Sequence, residues 1–276
     1  MSAYLLGGGA LFYLLATLVC LRHMLKARGP DPCQSTAPLW LLLSGFVLHG
    51  MSMGVDAFAA GTLPVAGPVE SMSFFAWLTA GLFLLVSLKY RLPTLGAFVA
   101  PTALSAAFAS LAFHDDGRAV PEALRTFWFP LHVVTIFIGQ AAFAISFAMS
   151  VAFLIQEYQI RRKTQLPLVR RLPPLEVLDE IIYRSVAIGF PFMTLGMVTG
   201  SLWAKHAWGM YWSWDPRLTL ALATWALVAG VLHARLAVGW RGRRMALLTI
   251  AAFALTVVSF LVVNGLRLGR HVGDFK

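Results

Sequence analysis

Long apolar blocks separated by short polar segments most strongly restrict how this chain can fold. Each block approaches the roughly 20 residues that an α-helix needs to cross the hydrocarbon core of a bilayer. A single span in lipid must satisfy its own backbone hydrogen bonds, and an α-helix does so. We therefore predict an all-α, polytopic membrane bundle that forms one membrane domain over residues 1–276. The predicted spans are approximately 3–22, 37–57, 71–88, 94–113, 129–156, 181–202, 218–238 and 245–264.

The composition argues against a soluble protein. Apolar residues make up 59% of the chain and charged residues 12%, about half of the roughly 25% found in soluble domains. The net charge of +10 would suggest nucleic acid for a soluble protein, but the basic residues lie in short segments between apolar blocks. We therefore expect a lipid bilayer, and no nucleic acid, as a partner. Cys20 and Cys33 form neither a CxxC nor a CxxCH motif, which excludes a thiol oxidoreductase or a c-type cytochrome by motif.

Basic residues are unevenly distributed among the connections between spans. The first, third, fifth and seventh connections are basic, whereas segments 58–70 and 114–127 carry no excess of basic residues. By the positive-inside rule, the basic connections face the cytoplasm. The sequence therefore predicts that both termini lie outside and that residues 157–180 form the main cytoplasmic loop.

Residues 203–217 give the strongest local signal for a binding site. Four tryptophans and a tyrosine fall between Trp203 and Trp214, and Asp215, Pro216 and Arg217 follow. An interfacial aromatic belt is the alternative, because Trp and Tyr favour the membrane–water boundary. A belt, however, spreads its aromatic residues over several span ends. A flat aromatic surface suits a planar ligand such as a porphyrin, so we predict an outer, Trp-rich binding loop here.

The run Trp-Gly-Met-Tyr-Trp-Ser-Trp-Asp-Pro-Arg at 208–217 resembles the WWD signature of the haem-handling membrane proteins of cytochrome c assembly. The similarity is greatest to the CcsA/ResC type, and the CcmC type is more distant. Arg217-Leu218-Thr219, after the proline, is nearer the CcmC pattern. The resemblance implies that haem is bound by Trp208, Tyr211, Trp212, Trp214, Asp215 and Arg217.

Two histidines are predicted on the outer side with the Trp-rich segment. His132 lies at the start of the fifth span, and His271 lies in the tail after the eighth. Two neutral imidazoles can bind haem iron from opposite faces. The resembled family has two external histidines flanking the WWD segment. The resemblance therefore implies that His132 and His271 are the iron ligands of an outer site.

Two further histidines lie within spans. An ionisable side chain inside a membrane is costly and marks a functional candidate, with a neutral histidine hydrogen-bonded between helices as the alternative. His233 corresponds to the transmembrane histidine of the resembled family, which implies a membrane site for haem iron. His49 is a candidate second buried ligand, although the second and seventh spans need not be neighbours. The family often completes its internal site with a partner subunit.

Charged residues near the Trp-rich segment have two explanations. Arginine can hold the propionates of haem through paired hydrogen bonds, and the outer candidates are Arg217, Arg267 and Arg270. Asp215 followed by Pro216 is also a typical helix start, with Asp as the N-cap and Pro at the first helical position. We expect Asp215 to cap the seventh span whether or not it also orients a group of the site.

The family resemblance implies a function in cytochrome c biogenesis. Haem b, bound non-covalently, would be presented outside a bacterial plasma (inner) membrane to apocytochrome c, with a CcsB/ResB-type membrane partner. The functional loops would face the periplasmic or extracellular side. The sequence leaves open whether the chain is the membrane subunit of a cytochrome c haem lyase or a haem-delivery protein without synthase activity.

Two other classes of membrane protein remain as alternatives. A small-solute transporter predicts inverted repeats and interrupted helices, and neither is evident in the sequence. A b-type electron carrier would need paired histidines across the bundle, for which His49 and His233 supply part of the requirement.

Overall fold

The computed structural model describes residues 1–25, 36–65, 67–90, 95–112, 124–163 and 172–265. Over these ranges the backbone folds into a bundle of eight α-helices. The helices are α1 Ser2–Leu25, α2 Ala37–Ala60, α3 Pro68–Tyr90, α4 Gly96–Ala112, α5 Trp128–Arg162, α6 Leu175–Trp208, α7 Pro216–Leu236 and α8 Arg243–Gly265.

Seven of these helices are long and apolar enough to cross a membrane, and α4 is the shorter exception in the described part of the chain. The predicted fourth span at 94–113 is observed as a helix of 17 residues that contains Pro101. At about 1.5 Å per residue α4 measures roughly 26 Å, near the lower limit for a span. The predicted all-α, polytopic membrane bundle is confirmed.

The two longest helices extend well beyond the predicted spans. α5 has 35 residues and α6 has 34, which corresponds to about 50 Å each and exceeds a hydrocarbon core of about 30 Å. Residues 157–162 and 175–180 of the expected cytoplasmic loop are therefore helical, as are residues 203–208 of the expected Trp-rich loop. Hydropathy locates the apolar part of a helix, whereas the helix itself continues until its backbone hydrogen bonding is broken.

Gly209 marks the point where α6 ends. It adopts a left-handed conformation with φ 75°, and its N–H donates to the carbonyl of Lys205 at 3.0 Å. A residue without a Cβ adopts this conformation at little cost, which is why glycine often follows the last turn of a helix. Gly209 thereby turns the chain at the point where the Trp-rich segment leaves α6.

α5 joins two hydrophobic cores, and its interface with α6 is the most extensive in the bundle. The first core contains Tyr13, Phe83 and Ile145 and connects α1–α4 with α5 and with the first turns of α6 and α8. The second core connects α5 with α6, α7 and α8 and contains Val228 and Phe253. α5 and α6, which contribute to both cores, therefore link the group α1–α4 to the pair α7–α8.

Glycines allow α5 and α6 to approach closely. A Cβ atom on Gly139 of α5 would lie 3.0 Å from the carbonyl oxygen of Gly189 and 3.0 Å from the amide nitrogen of Met193 on α6. Small residues permit such backbone contact between membrane helices. The close packing brings the backbones of α5 and α6 into contact near the middle of both helices.

Candidate functional site

The Trp-rich segment begins inside α6 and ends at the start of α7. Trp203 is buried, with 2% of its surface exposed, and Trp208 in the last turn packs edge-on against it with ring centroids 4.9 Å apart. Residues 209–215 then form a short non-helical connection. Half of the segment is thus anchored in a helix, so the connection can hold its shape.

Asp215 caps α7, as expected. Its Oδ1 accepts the N–H of Leu218 at 2.9 Å, and its Oδ2 accepts the hydroxyl of Ser213 at 3.2 Å. Pro216 occupies the first helical position, where its missing N–H costs no hydrogen bond. Asp215 therefore ties the preceding connection to the first turn of α7. Its carboxylate accepts no histidine N–H within the described ranges.

Aromatic rings at the end of the segment form an exposed surface. Tyr211 is 57% exposed and Trp214 is 78% exposed. Trp212 packs edge-on against Trp214 with ring centroids 5.7 Å apart. The ammonium of Lys205 lies 5.4 Å from the Tyr211 ring centroid and donates to the carbonyl of Gly209 at 2.9 Å. These contacts hold a set of large, flat side chains at the edge of the bundle.

The indole N–H of Trp212 is buried and has no hydrogen-bond partner among the described residues. A buried donor in this state costs free energy that a ligand acceptor would recover. Trp212 is therefore a candidate donor to an oxygen atom of a bound group.

His132 lies against the Trp-rich segment, at the beginning of α5. Its ring is nearly parallel to that of Trp203, with an interplanar angle of 9° and centroids 6.4 Å apart. Its Nδ1 lies 2.6 Å from the carbonyl oxygen of Gly196 on α6. A carbonyl only accepts hydrogen bonds, so Nδ1 carries the proton and donates. In the neutral ring, Nε2 then holds the lone pair needed to bind a metal ion.

Arg217 brings a positive charge to the same region. Its half-buried side chain is close enough to Asp215 and to His132 for its charge to act on both. A guanidinium in this position can bind a carboxylate through two hydrogen bonds. The structure thus brings together His132, Trp203, the aromatic surface and Arg217. Of the other expected outer residues, His271, Arg267 and Arg270 lie outside the described residues.

His49 is held by hydrogen bonds inside the first helical group. It is fully buried on α2, with Nδ1 3.3 Å from the hydroxyl of Tyr13 on α1 and Nε2 2.8 Å from the hydroxyl of Ser73 on α3. Both ring nitrogens are therefore engaged with protein atoms. This arrangement matches the alternative of a neutral histidine hydrogen-bonded between helices.

His233 has the opposite surroundings. It lies near the carboxyl end of α7 on an exposed face, and α7 packs mainly against α8 and α6. His49 is enclosed by α1 and α3. The structure does not bring His49 and His233 together, so they form no pair across the bundle.

Sequence reasoning missed two features near these sites. Gly196 and Gly200 on α6 contact His132 directly. Two small residues four positions apart in a membrane helix are a known signal for close helix packing. The second feature is a largely buried ion pair of 2.7 Å between Asp179 on α6 and Arg235 on α7. No local pattern indicated that ion pair, because its partners lie 56 positions apart in the sequence.

Comparisons with known proteins identify similar proteins of cytochrome c assembly. The profile of the family described as "Cytochrome C assembly protein" matches residues 65–271. The chain is 35% identical over 237 residues to "Cytochrome c biogenesis protein CcsA" of Prochlorococcus marinus (strain MIT 9215), covering 77% of this chain and 76% of that protein. It is 31% identical over 267 residues to the protein of the same name from Microcystis aeruginosa (strain NIES-843 / IAM M-2473), covering 79% and 81%.

A solved structure has a similar fold. The structure of "Cytochrome c Heme Lyase CcmF" matches with a TM-score of 0.64 at 19% sequence identity. The match covers 96% of this chain and 50% of that one, so the chain spans half the length of its structural relative. At this level of identity the match concerns the fold alone.

Proposed function

The chain belongs to the cytochrome c assembly protein family, with a role in cytochrome c biogenesis, and we propose that it binds haem b at the Trp-rich site and presents it to apocytochrome c. The resemblance to the CcsA type, drawn from the Trp-rich run, is confirmed. The observation that carries the proposal is the pairing of His132 with the Trp-rich segment. Nδ1 of His132 donates a hydrogen bond to the carbonyl of Gly196, which leaves Nε2 available to bind iron.

The residues of the site fit haem in three respects. Exposed aromatic rings at Tyr211 and Trp214 offer the flat apolar area that a porphyrin face requires. The Trp212 indole N–H, buried and without a partner in the described structure, suits a propionate oxygen. The guanidinium of Arg217 supplies the positive charge that a propionate needs.

Each side chain then has a defined task. His132, through its Nε2, and His271 are the residues that would hold the iron. Trp208 supports the buried Trp203 against which His132 packs. Asp215 fixes the connection that carries the aromatic rings. When bound, haem supplies the vinyl groups to which the cysteine thiols of an apocytochrome c add. The chain contributes binding and orientation, and we assign it no catalytic residue.

We propose that the site faces the outside of a bacterial plasma membrane. The Trp-rich segment and His132 lie at the start of α7 and of α5. Basic residues gather at the opposite end of α5, in the connection after α7 and at the beginning of α8, which by the positive-inside rule is the cytoplasmic side. These basic residues are Arg161, Arg162, Arg241, Arg243 and Arg244.

We further propose that α7 binds a membrane partner of the CcsB/ResB type. Small residues at helical spacing form an exposed stripe on α7 that ends at His233; the stripe consists of Thr219, Ala223, Ala226, Gly230 and His233. Small residues allow another membrane helix to approach closely. A partner helix along this stripe would enclose His233 and complete a second haem site within the membrane.

The outer site is tested by the absorption spectrum of the purified protein, prepared from cells with ample haem. The wild-type protein should show a Soret band, and His132→Ala should retain much less haem because a proposed iron ligand is lost. Added imidazole should restore the band, since it can occupy the vacated position.

His206→Ala is the matched control. His206 is exposed on the last turns of α6, close to the Trp-rich segment, and contributes no ring nitrogen to the proposed site. It should retain haem as the wild type does. Absence of a Soret band in the wild-type protein, or equal loss in both variants, would contradict the proposed function.

A further inference from the structure

One face of α6 surrounds the ring of His132. Gly196, Gly200 and Trp203 are separated by four and three positions, so they lie on the same face of the helix. All three contact His132, which lies on the neighbouring helix α5. We call this group of three residues the His132 cradle.

The first member of the cradle sets which nitrogen carries the proton. The carbonyl oxygen of Gly196 accepts from Nδ1 of His132 at 2.6 Å. The same oxygen lies 3.2 Å from the hydroxyl of Thr199. Because a carbonyl cannot donate, this contact excludes the tautomer with the proton on Nε2 alone. The neutral ring therefore keeps its lone pair on Nε2.

The second member provides space for the ring. A Cβ atom built on Gly200 would lie 2.6 Å from Nδ1 and 2.7 Å from Cε1 of His132. Real Cβ atoms do not approach ring atoms so closely, and an imidazole cannot bend away from the contact. Any residue larger than glycine at position 200 must therefore push the ring out of its place.

The third member limits rotation of the ring. Trp203 is almost completely buried and lies nearly parallel to His132. Phe129 also packs against the Trp203 indole, with ring centroids 5.4 Å apart. A rotation of the imidazole about its Cβ–Cγ bond would break its parallel arrangement with this buried indole. The hydrogen bond to Gly196, the space at Gly200 and the stacking on Trp203 thus select one orientation and one tautomer of the histidine ring.

We propose that Gly196, Gly200 and Trp203 are positioning residues that hold His132 with Nε2 presented to haem iron before haem arrives. This inference rests on the proposed function for its ligand, but the orientation and tautomer of His132 are properties of the chain itself. A metal-bound histidine is commonly fixed through its second ring nitrogen, and loss of such support typically weakens metal binding about 10–100-fold.

The first experiment tests the tautomer without haem. Protein labelled with ¹⁵N-histidine is prepared haem-free in lipid nanodiscs, and the His132 signals are assigned by their loss in His132→Ala. The wild-type protein should show a protonated Nδ1 and an unprotonated Nε2 at neutral pH, and Gly200→Ala should change this pattern. A proton on Nε2 in the wild type would overturn the cradle. Because no haem is present, this result does not depend on the proposed function.

The second experiment tests the effect on haem binding. Gly200→Ala should retain haem about 10-fold less strongly than the wild type, and added imidazole should restore the Soret band as it does for His132→Ala. In the His132→Ala background, Gly200→Ala should cause no further loss, because the glycine acts only through the histidine. Additive losses would show that Gly200 serves packing alone and would overturn the proposal.

Gly189→Ala is the matched control for helix packing. A Cβ atom there would lie 2.6 Å from the Phe143 ring and 3.0 Å from the carbonyl of Gly139, so it strains the same α5–α6 interface away from His132. It should lower thermal stability and keep the wild-type haem spectrum. If Gly189→Ala loses haem as Gly200→Ala does, and imidazole rescues neither, the cradle assignment is wrong.

Discussion

The partners of the two ring nitrogens decide what each histidine of this protein can do. In His132 one nitrogen donates to a main-chain carbonyl, which leaves the other nitrogen for a ligand. In His49 both nitrogens bond to the hydroxyls of Tyr13 and Ser73. The sequence marked His132 as a candidate because the predicted topology puts it on the same side as the Trp-rich segment, and His49 because an ionisable side chain inside a membrane is costly. Only the tertiary contacts separate a histidine available for binding from one that joins helices.

His49→Leu should therefore destabilise the bundle and leave haem binding at the proposed His132 site unchanged. The substitution orphans the hydroxyls of Tyr13 and Ser73 in a buried setting, at a cost of about 1–3 kcal/mol for each unsatisfied group. Denaturant unfolding in detergent micelles measures the loss, and the Soret absorbance per protein measures haem.

A triple variant provides the control for His49. Tyr13→Phe and Ser73→Ala, added to His49→Leu, remove the orphaned hydroxyls and should recover part of the lost stability. The opposite pattern, with unchanged stability and lost haem absorbance in His49→Leu, would identify His49 as an iron ligand.

The start of α7 is stabilised by side-chain hydrogen bonds at its first turn. The Trp-rich connection enters α7 through Asp215, whose two carboxylate oxygens accept from Leu218 and Ser213. The Asp-Pro pair was enough to predict this helix start from sequence, because capping is a local interaction. The end of α6 was harder to predict, since the helix continues past its apolar part to Gly209.

Asp215→Ala should weaken the start of α7 and reduce haem retention without preventing membrane insertion. Loss of an N-cap costs about 1 kcal/mol, and the aromatic connection loses its bond through Ser213. Thermal unfolding and haem stoichiometry measure the two effects, and protease accessibility in membrane vesicles reports insertion.

Asp215→Asn is the conservative comparison, because its amide oxygen can still accept the N–H of Leu218. It should restore most of the stability and most of the haem. Failure of Asp215→Ala to insert would assign the residue to capping alone, and wild-type haem content in Asp215→Ala would exclude it from the site.

Across the whole molecule, α5 separates two groups of helices with different surroundings. The group α1–α4 encloses His49, whereas α7 exposes a stripe of small residues beside His233. Gly230 within the stripe faces open space, since a Cβ atom there would meet no atom within 4 Å. The proposed binding of the partner helix depends on this exposed stripe.

Gly230→Leu should reduce co-purification of the CcsB/ResB-type partner and leave the isolated chain stable. The larger side chain meets nothing in this protein but would prevent close approach of another helix. Tandem affinity purification from co-expressing cells measures the assembly. The control is Gly54→Leu on α2, where a Cβ atom also has open space; it should leave assembly intact. If both variants assemble normally, α7 is not the partner surface.

The sequence by itself determined the all-helical membrane bundle and the approximate positions of its helices, and it predicted the Trp-rich segment as the candidate site. Hydropathy, helix capping and a dense aromatic run are local properties, and nearby residues specify them. Counting the predicted spans placed His132 on the same side of the membrane as the Trp-rich segment. The proposal that His271 completes the outer site still depends on this counting.

Only the tertiary structure decided how these parts meet. The carbonyl of Gly196 lies 64 positions from His132 in the sequence, and the partners of His49 lie 36 and 24 positions away. Contacts between distant positions depend on how helices pack, and the glycines that let α5 and α6 approach contribute no side chain that a pattern could reveal. For this reason the sequence could suggest histidine ligands, while the packing of α5 on α6 determined which nitrogen of His132 is available.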